Sequence, residues 1–214
     1  MLTITNEDNM DLMARYPDKY FDLAIVDPPY GIKISGAGGY HKRKGERPRN
    51  PHKKKDWDSS IPCAEYFSEL DRVSKNQIIW GGNYMTDHLP PSRGWIFWDK
   101  LQPVDNYSDG ELAWTSFDRN TKKFVHAHYG FISSDGKATH PTQKPAALYK
   151  WLLHNYANPG DKILDTHLGS GSIAIACHDY NFDLVACELD KEYYDAAMKR
   201  INAHTSQQKI FQTI

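Results

Sequence analysis

Four consecutive residues, Asp27, Pro28, Pro29 and Tyr30, could act together on an aromatic amino group. Such a group is a poor nucleophile because its lone pair is delocalised into the ring. A carboxylate and a carbonyl that accept hydrogen bonds from its two N–H groups would direct that lone pair at a methyl donor. Asp27 can supply the carboxylate, and Pro28 can supply the carbonyl on a restricted backbone. Tyr30 offers a ring on which a flipped base can stack. A rigid turn with a packed tyrosine is the alternative interpretation.

A second cluster lies far downstream, over Asp165–Ser172, with the sequence DTHLGSGS. Glycines between a strand and a helix permit a tight turn and close approach of a ligand to the backbone. Glu188 ends the next predicted strand, where a carboxylate can accept both hydroxyl hydrogens of a ribose. The pattern departs from the three-glycine dinucleotide motif. It fits an adenosine-containing ligand without a pyrophosphate, although either feature alone is as compatible with a plain turn or a solvated acid.

Apolar runs and helical spacing predict the elements that position these residues. Strands are predicted at Leu2–Thr5, Phe21–Val26, Gln77–Trp80, Trp95–Trp98, Gly110–Thr115, Lys162–Leu164 and Leu184–Cys187, with further β signal over Phe124–Phe131. Helices are predicted at Asn9–Tyr16, Ile61–Val73, Ala146–Tyr156, Ser172–Tyr180 and Lys191–His204. This alternation indicates an α/β fold with a mostly parallel sheet and helices on both faces. Ligands of such sheets bind at the carboxyl ends of the strands, where Asp27, Asp165 and Glu188 are predicted to lie.

The 214 residues suit a single domain, 1–214, with 40% apolar and 25% charged residues. The net charge of −1 does not by itself indicate a nucleic-acid partner. A basic, proline-interrupted run does: we expect 36–57 to be a flexible loop that orders on a phosphate backbone. Its candidate DNA-binding side chains are Lys42, Arg43, Lys44, Arg47, Arg49, Lys53, Lys54 and Lys55.

The three cysteines, Cys63, Cys177 and Cys187, have no metal-ligand spacing and are expected to be reduced thiols. No signal peptide and no apolar run of membrane-spanning length is present in the sequence. The protein is therefore expected to be cytoplasmic, without a metal and without a membrane partner.

Asp-Pro-Pro-Tyr after a buried strand, followed much later by Gly-x-Gly, resembles the β class of amino-group DNA methyltransferases, which have the catalytic motif before the cofactor glycines. The segment His140–Pro145 (HPTQKP) resembles the one that precedes the glycine motif in this family, and Gln77–Tyr84 (QIIWGGNY) and Glu111–Ser116 (ELAWTS) also look familial. The resemblance extends over nearly the whole chain. It implies a permuted, Rossmann-like methyltransferase fold with seven strands.

The resemblance implies an S-adenosylmethionine-dependent, site-specific DNA methyltransferase of the kind found in restriction–modification, acting on a flipped base by direct transfer. Double-stranded DNA is the implied partner, and a homodimer is compatible with the family. Asp27, Pro28, Pro29 and Tyr30 would receive the target amino group. Asp8 would contact the cofactor adenine and Glu188 its ribose. The other implied cofactor-binding residues are Thr142, Gln143 and Lys144 on the far side of the cofactor and Asp165, His167, Gly169, Ser170, Gly171 and Ser172 around its methionine moiety.

Two features depart from the family pattern. Thr166 and His167 replace the Pro and Phe that usually follow the Asp of the glycine motif. His167 either packs there in place of the aromatic ring or weakens cofactor binding. The region left for target recognition, 117–139, is short for reading several base pairs. Recognition is therefore relaxed, or shared with the basic loop or a second subunit.

Asp rather than Ser at the head of the catalytic motif favours adenine N6 over cytosine N4 as the target. The alternatives are cytosine N4 or RNA as substrate, a protein-glutamine methyltransferase, and a non-catalytic DNA-binding or cofactor-sensing relative. Glutamine methyltransferases usually have Asn at the first position, so Asp27 argues against them. Only His167 favours the non-catalytic relative. A bacterium, a phage or a mobile element is the expected source.

Overall fold

The structure, a computed structural model, describes residues 1–33, 58–102, 108–127 and 143–206. Three predictions fall wholly or partly outside these residues. They are the DNA-binding side chains of the basic loop, the role of Thr142, and the second half of the candidate recognition region.

Eight strands of the described part of the chain form one sheet: β1 (Leu2–Thr5), β2 (Phe21–Val26), β3 (Ser74–Trp80), β4 (Ile96–Asp99), β5 (Gly110–Thr115), β6 (Lys122–Val125), β7 (Lys162–Asp165) and β8 (Asp183–Cys187). Their spatial order is β1-β8-β7-β2-β3-β5-β4-β6. All neighbours are parallel except the two partners of β5, which runs antiparallel to β3 and β4. The predicted mostly parallel sheet is confirmed.

The sheet has one strand more than the seven that the resemblance implied. The additional edge strand is β6, which pairs in parallel with β4. Its signal in the sequence is weak because Phe124 is its only buried residue, so it lacks a continuous apolar run. The strand also lies inside the region 117–139, so part of the candidate recognition region belongs to the sheet.

In the described ranges, five α-helices cover the two faces: α1 (Asn9–Ala14), α2 (Ala64–Val73), α3 (Ala146–Tyr156), α4 (Ser172–Tyr180) and α5 (Lys191–Thr205). The side chains of β2 alternate between two hydrophobic clusters, as successive residues of a strand must. Leu23 and Ile25 pack with α3, α4 and α5. Ala24 and Val26 pack with α1 and α2. A strand buried on both faces explains why Phe21–Val26 is almost continuously apolar.

The antiparallel direction of β5 brings its first residues to the edge of the sheet where β2, β3, β7 and β8 end. Glu111 is the second residue of β5, and it therefore lies near the residues that follow the parallel strands. The opposite edge carries turns such as the one before β7. There Gly160 has φ +92°, and a Cβ atom added to it would meet nothing within 4 Å.

Candidate active site

The turn that follows β2 is fixed by a buried carboxylate that the sequence did not single out. Asp58 is only 1% exposed, and its Oδ1 accepts the backbone N–H groups of Tyr30 (2.8 Å) and Gly31 (2.9 Å). Hydrogen bonds from two successive backbone N–H groups to one carboxylate fix the chain direction after the two prolines. The turn thereby fixes where the Asp27 and Tyr30 side chains begin.

The Asp27 carboxylate lies at the carboxyl end of β2 and contacts Lys144 and Tyr30. The ammonium of Lys144 is 2.6 Å from Asp27 Oδ1, and the Tyr30 hydroxyl donates to the same oxygen at 2.7 Å. Lys144 also donates to the Tyr30 hydroxyl at 3.1 Å. These contacts occupy Oδ1, whereas Oδ2 has no hydrogen bond from the described residues. One carboxylate oxygen is thus held, and the other is available to a ligand.

Glu111 and Lys100 extend this cluster. Lys144 lies 3.0 Å from Glu111 Oε2, and Lys100 pairs with Glu111 Oε1. Although burial raises the pKa of Glu111, the two lysines lower it to about 2. Burial lowers the pKa of Lys144, but Asp27 and Glu111 raise it above its ordinary value. Burial raises the pKa of Asp27, against the opposing effect of Lys144. The cluster therefore pairs two lysines with two carboxyl groups.

The ring of Tyr30 is enclosed by Gly81 and Tyr84, so it is not an open surface for stacking. Gly81, at φ +68°, lies against it so closely that an added Cβ would be 2.2 Å from a ring carbon. On the ring also lies Tyr84, with centroids 5.3 Å apart and planes at 18°. Tyr84 is 47% exposed. A base stacking on Tyr30 from this side would have to displace Tyr84, which is exposed enough to move.

A cavity of about 750 Å³ runs from Asp27 and Pro29 past Gln143 and Lys144 to the loops after β1, β7 and β8. Its volume lies in the range of small-molecule sites. The implied cofactor residues that line it are Asp8, Gln143, Lys144, His167, Gly169, Ser170 and Glu188. These acceptors suit an adenosine-type ligand, because the carboxylates of Asp8 and Glu188 can accept hydrogen bonds from an amino group and a diol.

Glu188 is oriented by backbone N–H groups on both of its oxygens. Gly169 donates to Oε2 and Asp190 donates to Oε1, each at 2.9 Å. The carboxylate therefore bridges the glycine turn after β7 and the start of α5. A carboxylate oxygen has a second lone pair, so this anchoring still permits it to accept a diol. Asp8 is likewise held, because the backbone N–H of Met10 donates to it at 2.8 Å as α1 begins.

His167 takes part in a neutral hydrogen-bond chain. The amide Nδ2 of Asn9 is 3.2 Å from His167 Nε2, and His167 Nδ1 is 2.9 Å from Thr166 Oγ1. The hydroxyl of Tyr66 is 2.7 Å from the same Thr166 oxygen. Since an amide nitrogen only donates, Nε2 accepts and Nδ1 carries the proton. Burial lowers the pKa of His167 to about 4. The ring is therefore neutral at pH 7, and the two residues that depart from the family motif, Thr166 and His167, are hydrogen-bonded to each other.

Asp165 lies beneath the cavity wall. Its Oδ1 accepts the backbone N–H of His167 at 2.9 Å, and burial raises its pKa to about 8. Two other predicted cofactor residues also face away from the cavity. Gly171 packs against Ile201 of α5, where an added Cβ would come within 2.8 Å. Ser172 contacts Ser170 and accepts from Arg200. Direct roles for Gly171 and Ser172 at the cofactor remain predictions.

The Lys144 ammonium is directed at Asp27 and Glu111, and its implied role at the cofactor stays a prediction. Glu111 was part of a familial segment, but nothing in the sequence linked it to Asp27 or Lys144.

In the described ranges, no group of three or more histidine, cysteine or acidic residues could hold a metal ion. Within the same ranges, no helix is long and apolar enough to cross a bilayer.

Comparison with known proteins identifies the family. The N6/N4 DNA methylase family matches residues 87–199. The Type II methyltransferase M2.DpnII of Streptococcus pneumoniae is 24% identical over 94% of this chain and 90% of its own length. M.HpaI of Haemophilus parainfluenzae is 34% identical over 84 residues, which is 39% of this chain and only 26% of that relative.

A crystal structure of the M1.HpyAVI–SAM complex has the same fold, with a TM-score of 0.61 and 19% identity over 94% of this chain and 100% of its own. The predicted α/β fold with a mostly parallel sheet is confirmed. The matched residues cover about half of the chain, and the resemblance noted in the sequence is confirmed: the chain belongs to the N6/N4 DNA methylase family.

Proposed function

We propose that the protein transfers a methyl group from S-adenosylmethionine to adenine N6 in double-stranded DNA. The observation that carries the proposal is the Asp27 carboxylate, with Oδ1 held by Lys144 and Tyr30 and Oδ2 available beside the cavity. Asp at this position favours adenine within the family.

Asp27 and the Pro28 carbonyl would accept the two N–H groups of the target amino group. This arrangement directs the nitrogen lone pair towards the cavity, and its contribution is mostly positioning. S-adenosylmethionine, when bound, supplies an electrophilic methyl group on a positively charged sulfur. Asp27 or water would accept the proton that the amino nitrogen loses once it is methylated.

The cofactor end of the cavity suits a cationic ligand. Asp8 and Glu188 supply carboxylates at the adenosine end, and the Asp165 carboxyl lies below the wall. His167 is neutral, so it does not repel a sulfonium. Direct transfer uses no protein nucleophile. Cys177 and Cys187 are buried, and burial raises the pKa of both thiols, which suits structural cysteines.

DNA contact by the basic loop, and cytoplasmic action on chromosomal DNA, belong to the same proposal. The bacterial origin of the two relatives supports the second point. Cytosine N4 is the second candidate target, because the matching family includes both chemistries.

The test is to incubate unmethylated duplex DNA with the protein and S-adenosylmethionine, digest it to nucleosides and separate them by mass spectrometry. N6-methyldeoxyadenosine is the expected product. N4-methyldeoxycytidine would assign the alternative base, and methylation of a parallel RNA sample alone would assign RNA. Cofactor binding without any methylated nucleoside would indicate the non-catalytic relative. Asp27→Ala serves as the matched inactive control.

A further inference from the structure

Lys144 is almost completely buried, with 3% of its surface exposed, and its ammonium lies between three polar groups from two strand ends. It is 2.6 Å from Asp27, 3.0 Å from Glu111 and 3.1 Å from the Tyr30 hydroxyl. A buried ammonium needs such partners, because an uncompensated buried charge is strongly destabilising. This position serves Asp27 more directly than it serves a cofactor.

We propose that Lys144 and Glu111 are positioning residues that set the orientation and the ionisation of the Asp27 carboxylate. The inference rests on the proposed function only in taking Asp27 as the group that receives the target amine. Lys144 fills Oδ1 and so turns Oδ2 towards the substrate. Glu111 holds Lys144 in place through an ion pair and partly offsets the effect of its positive charge on Asp27.

Among the described residues, the buried Tyr149 interacts electrostatically with Asp27, and the charged groups around it do so directly or through a neighbour. Lys144 stabilises its anion, whereas Glu111 and the more distant Asp165 oppose it. The Tyr30 hydroxyl donates to it. Lys100 acts through Glu111, which it contacts directly. Because Lys144 and Glu111 act on the Asp27 anion with opposite signs, their replacement should shift the pKa of Asp27 in opposite directions. A merely structural role would not produce opposite shifts.

Lys144→Met keeps the aliphatic stem and removes the charge, so the pKa of Asp27 should rise by about one unit or more. Glu111→Gln removes a neighbouring negative charge, so the pKa of Asp27 should fall. The double variant, which removes one charge of each sign, should titrate closer to the wild type than Lys144→Met does.

The readout is the pH titration of the Asp27 carboxyl carbon by ¹³C NMR in the ligand-free protein, with its resonance assigned by loss in Asp27→Asn. This measurement does not require activity, so the inference can fail while the proposed function holds, and the reverse. In the active protein, the acid limb of the single-turnover methyl-transfer rate should move in the same directions. At a pH between the acid limb of the wild type and that of Lys144→Met, the variant should lose about tenfold more activity than it loses at high pH.

Thermal melts and cofactor titrations check that the variants are folded. If Lys144→Met does not fold, Glu111→Gln alone still tests the direction of the predicted shift in the pKa of Asp27. Shifts in the same direction for both variants, or an unmoved Asp27 titration in Glu111→Gln, would overturn the proposal.

Discussion

The two ends of the cavity differ in the groups that hold their key side chains in place. At the target end, Asp27, Glu111, Lys100 and Lys144 form a largely buried cluster of two carboxyl groups and two lysines. At the cofactor end, backbone N–H groups hold Glu188, and a neutral chain of side chains holds His167. A group that must act on a weak nucleophile needs a fixed ionisation state, whereas a pocket for a cation must avoid fixed positive charge. Damage to the first end should therefore impair turnover, and damage to the second should impair binding.

The largest effect should come from the target end. Asp27→Ala removes the carboxylate that orients the amino group, and we expect methyl transfer to fall about a thousandfold or more. S-adenosylmethionine should still bind within a few-fold of the wild-type affinity, as measured by calorimetry. Asp71→Ala removes an exposed carboxylate paired with Lys19 and should retain full activity. Turnover retained in Asp27→Ala would refute the assigned role of this end.

The cofactor end should respond in binding rather than in turnover. Glu188→Ala removes the implied ribose acceptor and the anchor of the Gly169 and Asp190 N–H groups. We expect the cofactor Kd to rise about 10- to 100-fold, since hydrogen bonds to charged groups are worth about 1.5–3 kcal/mol. The rate at saturating cofactor should stay within a few-fold. Asp195→Ala, on the exposed side of α5, is the control. An unchanged Kd would remove Glu188 from the cofactor site.

DNA affinity should be separable from both ends. Replacing Lys53, Lys54 and Lys55 by Gln should weaken duplex binding about tenfold at moderate salt. It should also reduce the salt slope by about 0.9 for each phosphate that the variant no longer neutralises. Fluorescence anisotropy across a salt series measures both. The same charge change at Lys19, Lys75 and Lys191, which pair with acidic neighbours, is the matched control. A salt slope equal to that of the wild type would exclude the loop from the interface.

The smallest effect concerns Asp165, between the two ends. Its pKa is raised to about 8 in the folded protein, so folding favours the protonated form, and ionisation costs stability as pH rises from the unfolded value towards 8. Asp165→Asn should therefore raise the melting temperature by a few degrees at pH 8 and by less at pH 5. Cofactor affinity at pH 7 should change little, because the Asp165 carboxyl is mostly protonated there and its replacement removes no negative charge. Scanning calorimetry at pH 5 and pH 8 measures both melting temperatures. A melting temperature of Asp165→Asn below that of the wild type at pH 8 would contradict the raised pKa of Asp165.

The order of elements and the carboxylates at strand ends were predictable from local patterns. The strand Phe21–Val26 is predicted by its apolar run, and the turn after β7 is predicted by its glycines. The eighth strand escapes such patterns because β6 has one buried residue and depends on pairing with β4.

The contacts of the candidate site were not predictable in the same way. Glu111 meets Lys144 only because β5 runs antiparallel, and strand direction is set by tertiary pairing that no local pattern encodes. Asp58 follows a long polar stretch and is indistinguishable there from a solvated acid. His167 looks like a defect in the motif when it is judged by sequence, because its partners Asn9 and Tyr66 are distant along the chain.

Gly160 has a consequence for engineering. It lies in a turn at the edge of the sheet away from the cavity, in open space. Insertions are tolerated best at exposed turns that few contacts cross. A foreign DNA-binding module grafted between Asn158 and Gly160 would thus leave the catalytic edge intact, and would offer a way to choose which sites the enzyme visits.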